Sequence, residues 1–184
     1  MKVALLFAGL ALVASASSAQ VAYKTYTAAT GLSAELPGEL EPFDKWTDIV
    51  KGRVIQLTST IREKKEGETF PDFKAYYFVQ AVIADQPYDV DAKLKEMTAD
   101  TSDAAVSSDI ISTRALKPSE MPLPGMRGVE IVKTYSAFGS DGDQVETSRN
   151  MFVGNKWLSV SVRHFENDNR WSANRLFKSV SWRP

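Results

Sequence analysis

The chain contains no cysteine and only one histidine, His164. Without cysteine there can be no disulfide, no thiolate nucleophile and no thiolate ligand to a metal. A single histidine leaves few options for acid–base chemistry, because histidine is the side chain that changes its charge near neutral pH. Asp141 and Asp143 flank a glycine as in a calcium loop, but position 152, where that loop ends in glutamate, is Phe. We therefore predict no metal site and no catalytic residues.

Basic and acidic side chains nearly balance. The 22 Lys and Arg residues are set against 23 Asp and Glu residues, which gives a net charge of −1 at pH 7. A surface this close to neutral has no strong electrostatic attraction for nucleic acid or anionic lipid. Glycine loops of the GxGxxG or GxxxxGK[ST] type, which hold phosphates, are also absent from the sequence. We expect neither a nucleic-acid partner nor a cofactor.

The first 19 residues have the pattern of a secretory signal peptide. Lys2 precedes an uncharged apolar stretch, residues 3–13, and small residues lead up to Gln20. The apolar stretch is shorter than the roughly 20 residues that cross a bilayer, so we expect no membrane span after cleavage. The sequence predicts a protein of the periplasm or the extracellular space, and the missing cysteines favour a bacterial periplasm.

Residues 20–184 are predicted to form a single α+β domain. An N-terminal hairpin is expected, and Gly154-Asn155 has the composition of a two-residue turn between two long strands. Helical spacing of apolar residues predicts one helix over residues 87–99 and another after Asn169. Hydrophobic patterning predicts strands over residues 53–61, 73–84, 110–116, 128–138, 145–153 and 156–165. This order favours an antiparallel sheet with helices packed on its faces.

The C-terminal part of the chain resembles the end of PsbP-like domains. Residues 148–182 combine a strand, the Gly154-Asn155 turn, a second strand closing on residues 163–165, and a helix ending at residues 176–180. The early hairpin leading into Leu36 and Pro37 is similar too. The resemblance implies an α/β/α sandwich, an antiparallel sheet flanked by helices. It implies no function, because no partner-binding or metal-binding set of that superfamily maps onto this sequence.

The proline-rich segment of residues 117–128 is the candidate interaction site. Met121, Leu123 and Met126 are apolar residues in a stretch that contains three prolines and cannot form regular structure. Such loops, with adaptable methionines, often recognise partners. The alternative is that these side chains cap the edge of the sheet. The first interpretation predicts a non-catalytic exported binding or accessory protein whose partner is a protein or another envelope component.

Two other functions are left open by the sequence. His164 could act as a general base oriented by Glu166 or Asp168, with a nearby serine as nucleophile, which would make the protein a small hydrolase. It shares its strand face with apolar residues, however, and no GxSxG motif is present. The aromatic residues between Phe70 and Phe78 could line a groove for an apolar small molecule, although a covered sheet needs such side chains in its core anyway.

Cleavage of the leader is directly testable. Small residues at positions 17 and 19 predict a mature chain that starts at Gln20, with Ser17 as the lesser alternative start. N-terminal sequencing of the protein recovered from a secreting host measures this. A chain that keeps Met1 would contradict the prediction of export.

Overall fold

The computed structural model describes residues 22–28, 31–40, 53–63, 67, 69, 72–99, 108–135, 143–168, 170–171 and 173–184. The predicted signal peptide lies outside these described residues. So do Phe70, Asp141 and the predicted helix cap Asn169.

Strands dominate the described part of the chain. The strands are β1 (Tyr23–Thr27), β2 (Leu32–Pro37), β3 (Arg53–Glu63), β4 (Asp72–Ile83), β5 (Ser108–Ala115), β6 (Arg127–Tyr135), β7 (Gln144–Val153), β8 (Lys156–Phe165) and β9 (Ser181–Trp182). The α-helices are α1 (Val90–Thr98) and α2 (Ala173–Ser179), and a 3₁₀ turn covers Pro118–Glu120.

These strands form two antiparallel sheets. The large sheet has the strand order β3-β4-β8-β7-β6-β5, and the small sheet has the order β1-β2-β9. Neighbours in the large sheet are mostly joined by hairpins, but β4 pairs with β8 across more than seventy residues of sequence. The two central strands of the large sheet are therefore β8 and β7.

The predicted fold class is wrong. The protein is mostly β and is not an α/β/α sandwich flanked by helices. One face of the large sheet is covered by the small sheet together with α2, and among the described residues α1 contacts the other face. The missed element is β9, whose Ser181 and Trp182 pair with Ser33 and Leu32 near the other end of the chain. No local pattern in a two-residue strand reveals that pairing.

The core lies between the large sheet and the small sheet with α2. We call the side of the large sheet that faces this core the inner face; it carries Tyr77, Val79, Val160 and Val162, all buried. Trp171, Leu176 and Trp182 pack against it from α2 and its flanks. The alternation of side chains along each strand puts these residues on one face and polar residues on the other.

The free energy gained by burying the Trp182 ring exceeds the cost of burying its indole N–H without a hydrogen-bond acceptor. Its Nε1 lies buried without a hydrogen-bond acceptor in the described part of the chain, which costs about 1–3 kcal/mol. Burying an indole ring removes about 150–250 Å² of mostly apolar surface from water, a gain of roughly 4–6 kcal/mol. The net gain in free energy stabilises the pairing of β9 with β2.

Two local predictions are confirmed. Gly154 has a φ of 55° and Asn155 has no positive φ, as a type II′ turn between β7 and β8 requires. Asp89 caps α1, since its side chain accepts a hydrogen bond from the Ala92 backbone N–H at 3.0 Å.

Of the helices found in the described ranges, none combines the length and apolarity that a membrane crossing demands.

Leu176 should be a large contributor to stability. It is 0% exposed on α2, and a buried Leu→Ala change costs about 2–5 kcal/mol because it leaves a cavity. Lys178→Ala, an exposed change on the same helix, should stay within about 0.5 kcal/mol. Urea denaturation of both variants measures the difference. Equal stabilities would mean that α2 does not close the core.

Candidate functional site

A row of alternating charges crosses the inner face beyond the edge of the small sheet. Arg114 on β5 is the register partner of Glu130 on β6, which in turn lies beside Arg149 on β7. Arg114 donates two hydrogen bonds to the Glu130 carboxylate, each 2.8 Å long, and Arg149 Nε donates to Glu130 Oε2 at 2.8 Å. Opposite charges on directly paired positions of adjacent strands stabilise the sheet.

Glu120 from the 3₁₀ turn closes this row into a four-residue network. Its carboxylate accepts hydrogen bonds from Arg114 Nη1 and Nη2 at 2.9 and 2.8 Å and from Arg149 Nη2 at 3.0 Å. It also accepts a hydrogen bond from the Lys117 backbone N–H at 2.8 Å. The network therefore fixes the loop of residues 116–126 to the face of the sheet.

The charges in the network stabilise one another. Hydrogen bonds from Arg114 lower the pKa of Glu120 from 4.5 to about 2. The same contacts raise the pKa of Arg114 above its already high value. Arg149 is only 11% exposed, and its guanidinium carbon lies 4.2 Å from the centre of the Phe177 ring, a cation–π contact. The lowered pKa of Glu120 keeps its carboxylate ionised at neutral pH, so the anchor of the loop is retained there.

A cleft of about 510 Å³ opens between the 116–126 loop and α2. Met121 and Pro122 line it on the loop side, and Phe177 and Lys178 line it on the helix side. Its volume is in the range of small-ligand and side-chain pockets. The cleft is mixed in character, with apolar side chains next to the arginine–glutamate network and one additional cation, Lys178.

The three predicted partner-binding residues have different environments. Met126 is 6% exposed and belongs to the core. Leu123 and Met121 are partly buried and pack against that core, and Met121 also lines the cleft. Gly125 adopts a φ of 76°, which makes it a turn position in this loop. Met126 is thus buried in the core, whereas Met121 is partly buried and lines the cleft.

His164 lines a second, smaller cavity of about 300 Å³ on the other side of Phe177. Its Nδ1 lies 2.7 Å from the carbonyl oxygen of Phe165. Asp168, one of its two proposed orienting residues, instead accepts hydrogen bonds from Arg170 and from Trp171 Nε1. Ser159 and Ser161 lie on the same strand, but alternation along β8 points them to the opposite face.

Sequence reasoning missed the charge network. Arg114, Glu120, Glu130 and Arg149 are spread over 36 positions and fit no motif. The register of three strands brings them together. The available signal was a charged residue at a strand position whose neighbours along the same face are uncharged, as at Arg149 between Thr147 and Met151.

Stability should depend on the ionisation of Glu120. Its pKa is lower in the folded chain, so its contribution is complete above 4.5 and is lost as the pH falls toward about 2. Compared with the wild type, Glu120→Gln should lose about 1–2 kcal/mol at pH 7, more than an isolated surface pair contributes. The difference should shrink steadily between pH 4.5 and 2.

Chemical denaturation at several pH values measures this difference. Glu166→Gln is the control, since Glu166 is exposed and outside the network, and we expect a change below about 0.5 kcal/mol. A Glu120 effect that is the same at pH 2.5 and pH 7 would contradict the assignment.

Comparison with known proteins adds no relative to this description. No protein-family model matches the chain, and no curated protein sequence matches it significantly.

Proposed function

We propose that this protein is an exported, non-catalytic binding protein that holds a segment of a protein partner in the cleft between the 116–126 loop and α2. The observation that carries the proposal is the loop anchor. Glu120 is bonded to Arg114, Arg149 and the Lys117 backbone, so the loop keeps one conformation beside the open cleft. A loop that is already ordered loses little entropy when it binds.

The lining of the cleft defines the chemistry of the partner. Met121 and Phe177 offer apolar surface that can adapt to an irregular side chain. The network of two arginines and two glutamates is internally neutral, and Lys178 adds one positive charge. The best match is a peptide segment that carries an apolar residue next to a carboxylate.

The other functions raised by the sequence gain no support from these contacts. A hydrolase needs a serine within reach of His164, and Ser159 and Ser161 project from the opposite face of β8. A carrier needs space between the sheet and its covering layer, where the fully buried side chains of Trp171, Leu176 and Trp182 pack instead.

Site-specific photo-crosslinking tests the proposal. A photoreactive residue in place of Ser119, which is exposed and lines the cleft, should give a single crosslinked product in the secreting host. The same residue in place of Arg62, exposed at the far end of edge strand β3, should not give that product. A product of the same mass from both positions would contradict binding at the cleft.

Charge and shape variants locate the contact further. Met121→Asp and Lys178→Glu should each reduce the crosslinked product about tenfold. The melting temperature should stay close to that of the wild type for Lys178→Glu and fall modestly for Met121→Asp, because Met121 packs partly against the core. Lys95→Glu, on exposed surface of α1, is the charge-matched control and should leave the yield unchanged. Met126→Asp would bury an unpaired charge and should unfold the protein early. An unchanged yield for both cleft variants would refute the proposal.

A further inference from the structure

The outer face of the large sheet, opposite the core, has a polar centre. Ser161 and Ser159 on β8 pair with Ser148 and Asn150 on β7, so that the four side chains form a square on the two central strands. All four residues are buried, with 7–9% of their surface exposed. On the inner face the same two strands carry Val160 opposite Arg149 and Val162 opposite Thr147 at the equivalent central positions.

This square is the floor of a trough of about 390 Å³, which we call the outer trough. Tyr76 and Phe78 on β4 line one side, with their rings stacked 6.2 Å apart. Ile131 and Lys133 on β6 line the other side. Glu96, Met97 and Ala99, at the C-terminal end of α1, also border the trough.

The floor has unused hydrogen-bonding capacity. Asn150 Oδ1 accepts a hydrogen bond from Trp157 Nε1 at 3.3 Å, and Ser148 Oγ makes one long contact, 3.4 Å, to the Ile131 carbonyl. Within the described ranges Ser159 Oγ, Ser161 Oγ and Asn150 Nδ2 make no hydrogen bond to the protein, and their residues line the trough, to which these atoms are open. Polar groups in such a position are free to pair with a ligand that enters the trough.

The charges that line the trough cancel. Lys133 and Arg163 are balanced by Glu96 and Glu146, and Arg163 donates to Glu146 at 2.7 and 3.0 Å. Such a site has no net attraction for an anion or a cation. Its free groups are hydroxyls, which both donate and accept, and one amide N–H₂ donor. A matching ligand is uncharged and rich in hydroxyl groups.

We propose that the outer trough binds a neutral oligosaccharide, with one sugar ring over the Ser148–Asn150–Ser159–Ser161 square. The hydroxyl groups of a pyranose donate to and accept from the serines and Asn150, which satisfies the unpaired groups of the floor. The C–H side of the ring is apolar and packs against the stacked Tyr76 and Phe78 rings. This site is on the opposite face of the sheet from the proposed partner cleft and does not depend on it.

Nuclear magnetic resonance titration of the isotope-labelled protein tests the proposal. The probes are cellotetraose, maltotetraose and tetra-N-acetylchitotetraose, each added to about 10 mM, which nearly saturates a site with a dissociation constant near 1 mM. At least one of them should produce saturable shifts of the Trp157 indole N–H and of the Ser159 and Ser161 amides. The Trp157 signal is informative because its Nε1 donates to Asn150.

Variants of the floor and wall identify the site. Ser161→Val or Ser159→Val removes a hydroxyl and raises the floor, and each should weaken binding about tenfold. Valine suits a strand, so the fold should be kept. Phe78→Leu retains an apolar side chain but removes the ring, and should weaken binding by a similar factor. Ser112→Val, an exposed serine of β5 on the inner face, is the matched control and should change affinity less than twofold.

Three results would overturn the proposal. The first is the absence of saturable shifts with all three saccharides. The second is an affinity that is the same in the wild type and in the variants Phe78→Leu, Ser159→Val and Ser161→Val. This comparison uses the variants whose spectra show the wild-type fold. The third is saturable shifts from tetraglycine without shifts from any saccharide, which would identify the outer trough as a peptide groove.

Discussion

Burial of the inner face of the large sheet is the constraint on which the rest of the structure depends. The N-terminal hairpin and the last strand are short, and a two- or three-stranded sheet of that size has little stability by itself. They persist because they cover Tyr77, Val79, Val160 and Val162 together with α2. The chain therefore closes its core by bringing residues near both ends together, which requires β2 and β9 to pair.

The small sheet and the helices cover the large sheet incompletely, and both proposed sites lie beside its uncovered parts. The small sheet and α2 contact β3, β4 and β8 of the large sheet, while β5 and β6, toward its other edge, extend past them. Where the cover ends, Arg114, Glu130 and Arg149 replace apolar side chains, and the cleft forms beside Phe177. On the outer face α1 contacts β6 and β7, and the polar square lies next to its C-terminal end.

Charge pairing at the cleft anchors the loop to the sheet. Each glutamate of the network contacts both arginines, so neither carboxylate is left partly desolvated without a partner. Removing one member would leave a partly desolvated charge without its partner. The resulting loss of stability is larger than the contribution of a surface ion pair. The arrangement keeps a loop of three prolines and one left-handed glycine in a fixed position, with Met126 in the core and the 3₁₀ turn at the surface.

Local chemistry fixed several features in the sequence itself: the Gly154-Asn155 turn, the Asp89 cap of α1, the strand that places His164 with Val160 and Val162, and the stripe of α2 that buries Leu176. Each depends on residues close together in the chain. The second sheet, the charge network and the polar square were decided by tertiary structure, because strand pairing joins residues as distant as Leu32 and Trp182. In the sequence, Ser159 and Ser161 alternate with apolar residues along β8, a pattern that predicts a face exposed to solvent. Only the walls formed by β4, β6 and α1 turn it into a buried floor.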